Sequence, residues 1–273
     1  MDFYITVLGS SAAIPTVDRQ CSSQLANVCG YRVLLDCGEG VQLQLRRCHQ
    51  RLLSINLICI THLHGDHFFG LPGLISTMHL CGRTHPLTII GPQGLKTVLD
   101  TLFTASATQL AYPLTVVELS HDGELQVFEN SHCRITAFPL WHSVPTYGYR
   151  IDQKTKGNHT AHSYAYCTDT GLNEKIIDYV AGVDMLCLEC TFDDDLEAIA
   201  KEKQHLTLSN AADLARRAGA GQLLLTHFSA RYRDIQPLEK KAQTLFTNTF
   251  MATDGVRYKI GKNETLTLLN SKS

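Results

Sequence analysis

Six consecutive residues, His62-Leu63-His64-Gly65-Asp66-His67, carry three imidazoles and one carboxylate. They follow Leu57-Ile58-Cys59-Ile60-Thr61, a continuous apolar run that reads as a buried central strand. In an extended segment His62 and His64 project to the same side. Gly65 then permits a tight turn that returns Asp66 and His67 toward the same point. Histidine is only occasionally buried, and aspartate almost never unless paired, so packing is a poor explanation for this density of polar side chains. Imidazole nitrogens with carboxylate oxygens suit zinc, with manganese or iron as the other fits. The competing reading is a solvated polar loop.

Three later places repeat the device of an apolar run ending in one ligand-type residue. His142 follows the strand at 134–140, Asp169 the strand at 163–167, and His227 the strand at 222–225. Each alone is weak, because a lone histidine or aspartate after a strand is usually a loop residue. Together with the first run they supply enough donors for two metal ions.

The elements that must position these residues are mostly strands. The sequence predicts strands at 4–8, 31–36, 57–61, 87–91, 115–118, 125–128, 133–140, 163–168, 185–189 and 222–226. It predicts helices at 41–47, 70–79, 94–105, 173–181, 209–218 and 235–250. Ser209 or Asn210 is placed to cap the fifth helix and Gly219 to end it. Strands with helices between and after them suggest two packed sheets with helices outside, an α/β (α+β) layering. The chain, 1–273, looks like one domain built of two related halves, about 1–118 and 119–273, with no Pro/Gly/Ser linker between them.

Composition narrows the function classes. The chain is 44% hydrophobic and 18% charged, with no low-complexity tract. No apolar run approaches the ~18 residues of a membrane helix. The start, Met1-Asp2-Phe3-Tyr4-Ile5, reads as a first strand and lacks the basic opening of a signal peptide, so a cytoplasmic protein is expected. A net charge of −2 is unlike a dedicated nucleic-acid binder, whose affinity comes largely from neutralised phosphates. The ten cysteines have irregular spacing and are read as free thiols, Cys187 and Cys190 as buried and inert. His49, His79, His85, His121, His132, His159 and His162 lack ligand-like company and are read as surface or packing residues.

The run at 62–67 is the HxHxDH signature of the metallo-β-lactamase superfamily. Within it the chain resembles the tRNA 3′-processing endoribonucleases, the ribonuclease Z branch. The resemblance spans nearly the whole length, through Asp36-Cys37-Gly38-Glu39-Gly40-Val41-Gln42, Leu71-Pro72-Gly73-Leu74, Ile90-Gly91-Pro92, Tyr147-Gly148-Tyr149-Arg150, Glu189-Cys190-Thr191-Phe192 and His227-Phe228-Ser229-Ala230-Arg231-Tyr232. The first and last of these are more specific than HxHxDH.

The resemblance implies a four-layer αββα sandwich. It implies one zinc on His62, His64 and His142, a second on Asp66, His67 and His227, and Asp169 bridging them. A hydroxide made between the two metals would attack the phosphorus, with Asp66 also orienting it. His205 would donate the proton to the leaving group, oriented by Glu189. Arg231 would contact a phosphate, and Asp36 would support the metal loops rather than bind metal. The implied partners are precursor tRNA and a second copy of the chain, in a homodimer.

Two features depart from the family. Its members usually carry a long Gly/Pro- and Lys-rich arm after Gly148-Tyr149-Arg150-Ile151, which grips tRNA. Here the short stretch at 152–162 intervenes, with Lys154 and Lys156 as a faint basic remnant. Thr168 stands where glycine usually precedes the bridging aspartate, which puts the backbone of that turn in question. The departures favour an alternative substrate, a cyclic nucleotide or short oligonucleotide. A non-catalytic metal-binding module is the third reading, and the full ligand set argues against it. His64→Ala is expected to abolish hydrolysis of bis-p-nitrophenyl phosphate while the chain stays folded. Full activity in that variant at matched metal content would contradict a two-metal mechanism.

Overall fold

The structure, a computed structural model, describes residues 2–120, 122–155, 159–261 and 265–267. The expectations for His121 and Lys156 lie outside the described residues. The first sheet contains β1 (Phe3–Gly9), β3 (Ser23–Val28), β4 (Tyr31–Leu35), β5 (Leu57–Cys59), β6 (Leu87–Pro92) and β7 (Leu114–Leu119). The strands β16 (Val256–Lys259) and β17 (Thr265–Thr267) return from the end of the chain to its β1 edge. The second sheet contains β8 (Leu125–Glu129), β9 (Cys133–Leu140), β10 (Thr146–Lys154), β11 (Thr160–Cys167), β12 (Met185–Glu189), β13 (Gln222–Thr226) and β15 (Thr249–Met251). A short parallel ladder joins β2 (Ser11–Ala12) to β14 (Phe228–Ser229).

Three buried apolar clusters reveal four layers. Ile5, Val33, Leu57, Ile135, Tyr149, Tyr164 and Leu224 meet between the two sheets. Leu34, Ile58 and Ile89 pack on α1 (Val41–Arg47), α3 (Leu71–Leu80) and α4 (Leu95–Ala105) through Leu45, Leu74, Ile75 and Leu99. Leu186, Leu188 and Leu225 pack on α5 (Lys175–Tyr179), α7 (Leu208–Arg217) and α8 (Gln236–Leu245) through Ile176, Ala211, Leu214 and Leu238. This is the αββα sandwich. It explains why β12 reads Met-Leu-Cys-Leu-Glu without alternation: Met185 and Cys187 face the other sheet, Leu186 and Leu188 face helices. A strand covered on both faces has no polar side to show.

The topology places the chemistry. The strands β4 to β7 run parallel, as do β11, β12, β13 and β15. The strand β9 is antiparallel to β10, which is antiparallel to β11, so β9 points the same way as β11. Carboxyl ends of parallel strands gather at one rim, the usual place for a site in open α/β sheets. Asp36, His62, His142, Asp169, Glu189 and His227 all lie at or just past such ends.

Several boundaries differ from the sequence expectation. The last long helix stops at Leu245 and the chain enters β15, because Thr249, Phe250 and Met251 pair with Leu223, Leu224 and Leu225. The cap of α7 is Thr207, which accepts from the Asn210 amide while Asn210 accepts in return, a capping box; Ser209 instead bonds Asp194. Gly219 ends the helix at φ +66°, as expected. The helix at 173–181 shortens to α5. The strands β3 and β10 emerge from residues whose polar content hid them. Gly148 in β10 admits the Phe138 ring, which a Cβ would meet at 2.4 Å.

Among the described residues no helix is long and apolar enough to cross a membrane. All ten cysteines are free, and Cys187 and Cys190 are fully buried. Two short connections anchor the metal loop to β4: the Cys37 amide donates to the His67 carbonyl (2.7 Å), and the Gly70 amide to the Cys37 carbonyl (2.9 Å). A Cβ on Gly70 would sit 2.2 Å from the Gly38 carbonyl oxygen. Gly70→Ala is therefore expected to cost about 1–3 kcal/mol of stability, read as a lower urea midpoint. An unchanged midpoint would show that this approach is not tight.

Candidate metal centre

The short helix α2 (Gly65–Phe68) turns the chain back directly after His64, as the glycine predicted. Three overlapping groups of ligand atoms result among the described residues. His62, His64, His142 and Asp169 form one, Asp66, His67 and His227 a second, and Asp169, His205 and His227 a third. Asp169 reaches across the first two: its Oδ2 lies 3.3 Å from His62 Nε2 and 3.6 Å from His142 Nε2, and its Oδ1 lies 2.9 Å from His227 Nε2. His64 Nδ1 and His142 Nε2 are 3.3 Å apart, and His67 Nε2 and His227 Nε2 are 3.4 Å apart.

These donors fit metal ions better than they fit one another. His62 Nε2 is buried with no well-aligned hydrogen bond and only Asp169 Oδ2 near it, an arrangement that is costly without a ligand. Ring nitrogens turned toward each other can share a proton or a metal ion, and imidazole with carboxylate donors suits the latter. The second nitrogen of three rings is held from outside. Thr61 Oγ1 meets His62 Nδ1 at 3.0 Å, Asp36 Oδ2 meets His67 Nδ1 at 2.7 Å, and Thr191 Oγ1 meets His227 Nδ1 at 2.9 Å. Such outer partners fix the tautomer and aim the free nitrogen inward.

The backbone is strained where the ligands stand. Asp36, Asp169 and His227 adopt φ of 57°, 58° and 59°, and the neighbouring Ala13 and Gln204 are left-handed as well. Among the described residues, five of the eight non-glycine residues with positive φ thus border one site. Sparsely populated conformations persist where surrounding structure enforces them, and they concentrate at functional sites. Thr168 is not among them. The left-handed residue of that turn is Asp169 itself, so position 168 needs no glycine, and the Thr168 hydroxyl instead donates to Asp169 Oδ1 at 3.3 Å.

Charge is balanced within the cage. Burial drives His62 down to about 4, so its ring is neutral and offers a lone pair. Burial also lowers His142. Burial alone would raise Asp66 and Asp169, but His67 and His227 hold both carboxyls far below the usual carboxylate range. The same attraction overcomes burial at His67, which is raised well above a normal histidine, and at His227, raised to about 10 chiefly by Asp169.

Beside the ligands stands a second unit. His205 Nδ1 lies 2.9 Å from the fully buried Glu189, and Glu189 also accepts from the Thr170 amide, the Leu206 amide and the Thr191 hydroxyl. Burial opposes protonation of His205, and Glu189 outweighs it, so its pKa is raised. Both units open into a cleft of about 590 Å³ whose wall includes Phe192 and Arg231. The Arg231 guanidinium lies 5.0 Å over the Phe192 ring, bonds Ser229 Oγ, and enters no ion pair among the described residues. Asp36 stays outside the clusters and reaches them through Thr61 and His67. Sequence reasoning missed Thr61, Thr191 and the Ala13 amide, which donates to Asp66 Oδ2 at 2.8 Å. Hydroxyls and backbone amides carry no spacing signal.

Comparison with known proteins agrees with this geometry. The Beta-lactamase superfamily domain matches residues 31–228. A ribonuclease Z of Bacteroides fragilis is 34% identical over 297 residues, covering 93% of this chain and 98% of that protein. A ribonuclease Z of Azobacteroides pseudotrichonymphae is 36% identical, covering 92% and 96%. The crystal structure of the short form of human tRNase Z superposes with a TM-score of 0.82 at 30% identity, covering 95% of this chain and all of that one.

Metal-free protein should hold protons on both His67 and His227, and the His227 value sets the window. The folded pKa near 10 exceeds the unfolded value of ~6.5, so the stabilisation is complete below pH ~6.5 and is lost as pH rises through about 10. Urea unfolding of metal-free protein is expected to show falling stability between those values, with metal-loaded protein flatter. A flat metal-free profile would contradict the charge balance described.

Proposed function

The chain belongs to the beta-lactamase superfamily and, within it, to the ribonuclease Z family, and from that membership we propose how its residues divide the work of cleaving RNA. It is a metal-dependent phosphodiesterase acting as an endoribonuclease. The observation that carries the proposal is the pair of ligand clusters sharing Asp169. In this reading the ions would be zinc, with manganese or iron as alternatives. His62, His64 and His142 would hold one, Asp66, His67 and His227 would hold the other, and Asp169 would serve both. Two such ions, when bound, neutralise phosphoryl oxygens and lower the pKa of a water to near neutrality.

The remaining steps fall to the protein's own side chains. Asp66, fixed by the Ala13 amide and drawn toward His67 and His227, orients the attacking oxygen. Arg231, free of ion pairing among the described residues and steadied on Phe192, offers its guanidinium to a phosphate of the strand. His205, whose pKa Glu189 raises against the effect of burial, gives its proton to the leaving ribose oxygen. The proposed substrate is precursor tRNA carrying a 3′ trailer, the proposed assembly a homodimer, and the proposed compartment the cytoplasm.

One observation favours a second reading, a small phosphodiester such as a cyclic nucleotide or short oligonucleotide. The strands β10 and β11 pair down to Lys154 and Thr160, and only residues 155–159 join them in sequence, too few for a long arm. Under either reading His205→Ala should cost about 10²- to 10⁴-fold in kcat for a ribose leaving group. The loss should be much smaller for p-nitrophenolate, which departs without a proton. Equal losses on the two substrates would remove His205 from the role of acid.

A further inference from the structure

We propose that Trp141 is a nucleobase platform, receiving one base of the RNA strand in a groove beside the metal centre. The proposal rests on the endoribonuclease reading above.

Trp141 is the only tryptophan of the chain and directly precedes His142. Its backbone is clamped on both sides: the Trp141 amide donates to Thr170 Oγ1 (3.2 Å), and the Gly171 amide donates to the Trp141 carbonyl (2.8 Å). The indole lies on Gly171 so closely that a Cβ there would fall 2.6 Å from Cε3 and 2.8 Å from Cζ3. The ring is therefore fixed by the loop that carries Asp169, yet it remains 43% exposed. A large apolar ring held rigid at the rim of a polar site has lost little entropy still to lose on binding.

The surroundings select the ligand. A separate groove of about 430 Å³ adjoins the indole, walled by Leu140 and Leu172, the latter 49% exposed. Lys175 lines it and makes no ion pair among the described residues, which leaves a cation for a phosphate. Asn173 also lines it. Its Oδ1 accepts the Lys175 amide at 3.1 Å, which leaves the amide nitrogen to donate to the acceptor edge of a base. Asp122 on the rim opposes a wholly anionic occupant. A flat neutral π-face with a phosphate at its margin matches this set, and a nucleotide within a strand has that form. Trp141 lines this groove and directly precedes His142, and His142 lines the metal cleft together with His227, Ser229 and Arg231. A strand that touches both Trp141 and Arg231 crosses the metal centre between them.

The test compares RNA precursors with single abasic nucleotides placed in turn along both sides of the scissile bond. Unaltered protein, Trp141→Ala and Trp141→Phe are assayed at matched metal content. Loss of one stacked base predicts a fall in kcat/KM of about 5- to 150-fold for Trp141→Ala on intact RNA. Trp141→Phe should recover most of it. One abasic position should reproduce the loss in the unaltered protein, and Trp141→Ala should add little on that substrate, the mark of a shared interaction. Equal loss on every substrate would overturn the platform and leave Trp141 as a prop for the metal loop; no loss would overturn it too.

Fluorescence supplies an independent reading, because a single indole reports. RNA whose scissile oxygen is replaced by methylene should quench the loaded protein, and the matching abasic RNA should not. Quenching with no RNA cleavage by the unaltered protein would keep the platform and sink the endoribonuclease reading. Cleavage without base-dependent quenching would sink the platform alone, and neither cleavage nor quenching would sink both.

Discussion

Asp36 has no exposure to water, and its carboxylate lies between the two sheets. It accepts from the Thr61 amide (2.8 Å), the Thr61 hydroxyl (3.0 Å) and the Tyr166 hydroxyl (3.1 Å), and it meets His67 Nδ1 at 2.7 Å. A buried charge is tolerated only when its bonds are made, so these four groups are tied to one point. Thr61 and His67 bracket the metal run, and Tyr166 reaches across from the second sheet. The same carboxylate thus sets the register of the loop, the tautomer of a ligand and the meeting of the two halves of the sandwich.

From that anchor the site extends by one repeated arrangement. Parallel strands deliver their ends to a common rim, and the chain turns left-handed there at Asp36, Asp169 and His227. An abrupt turn lets a side chain point along the strand axis into the cleft, where a regular residue would point into a sheet face. The strain is offset by the three packed interfaces beneath it. Stability and chemistry are in this sense assigned to different layers. Thr191 is the exception, since its hydroxyl serves the Glu189 and His205 pair and the ligand His227 together.

Much of this was legible in the sequence. Three imidazoles and a carboxylate after an apolar run have few explanations, and His142, Asp169 and His227 could be found because each ends a strand. Residues that act through a hydroxyl or a backbone amide were not legible, because Thr61, Thr191 and Ala13 are common residues in ordinary company. The strand β3 was hidden because Gln24 and Asn27 are buried polar residues satisfied by partners distant in sequence. The helix at 235–250 overran because no glycine or proline falls between α8 and β15, and only pairing with β13 tells them apart. Thr168 looked like a defect under family resemblance. The structure moves the special conformation one residue on, to Asp169.

The central claim is that two ligand clusters joined by Asp169 hold two ions, and that cleavage needs both. Metal-free protein titrated with zinc, with bound metal and phosphodiester hydrolysis measured at each addition, tests it directly. Binding should saturate at two ions per chain, with activity rising only as the second is taken up. Full activity at one ion per chain, or saturation at one, would contradict it.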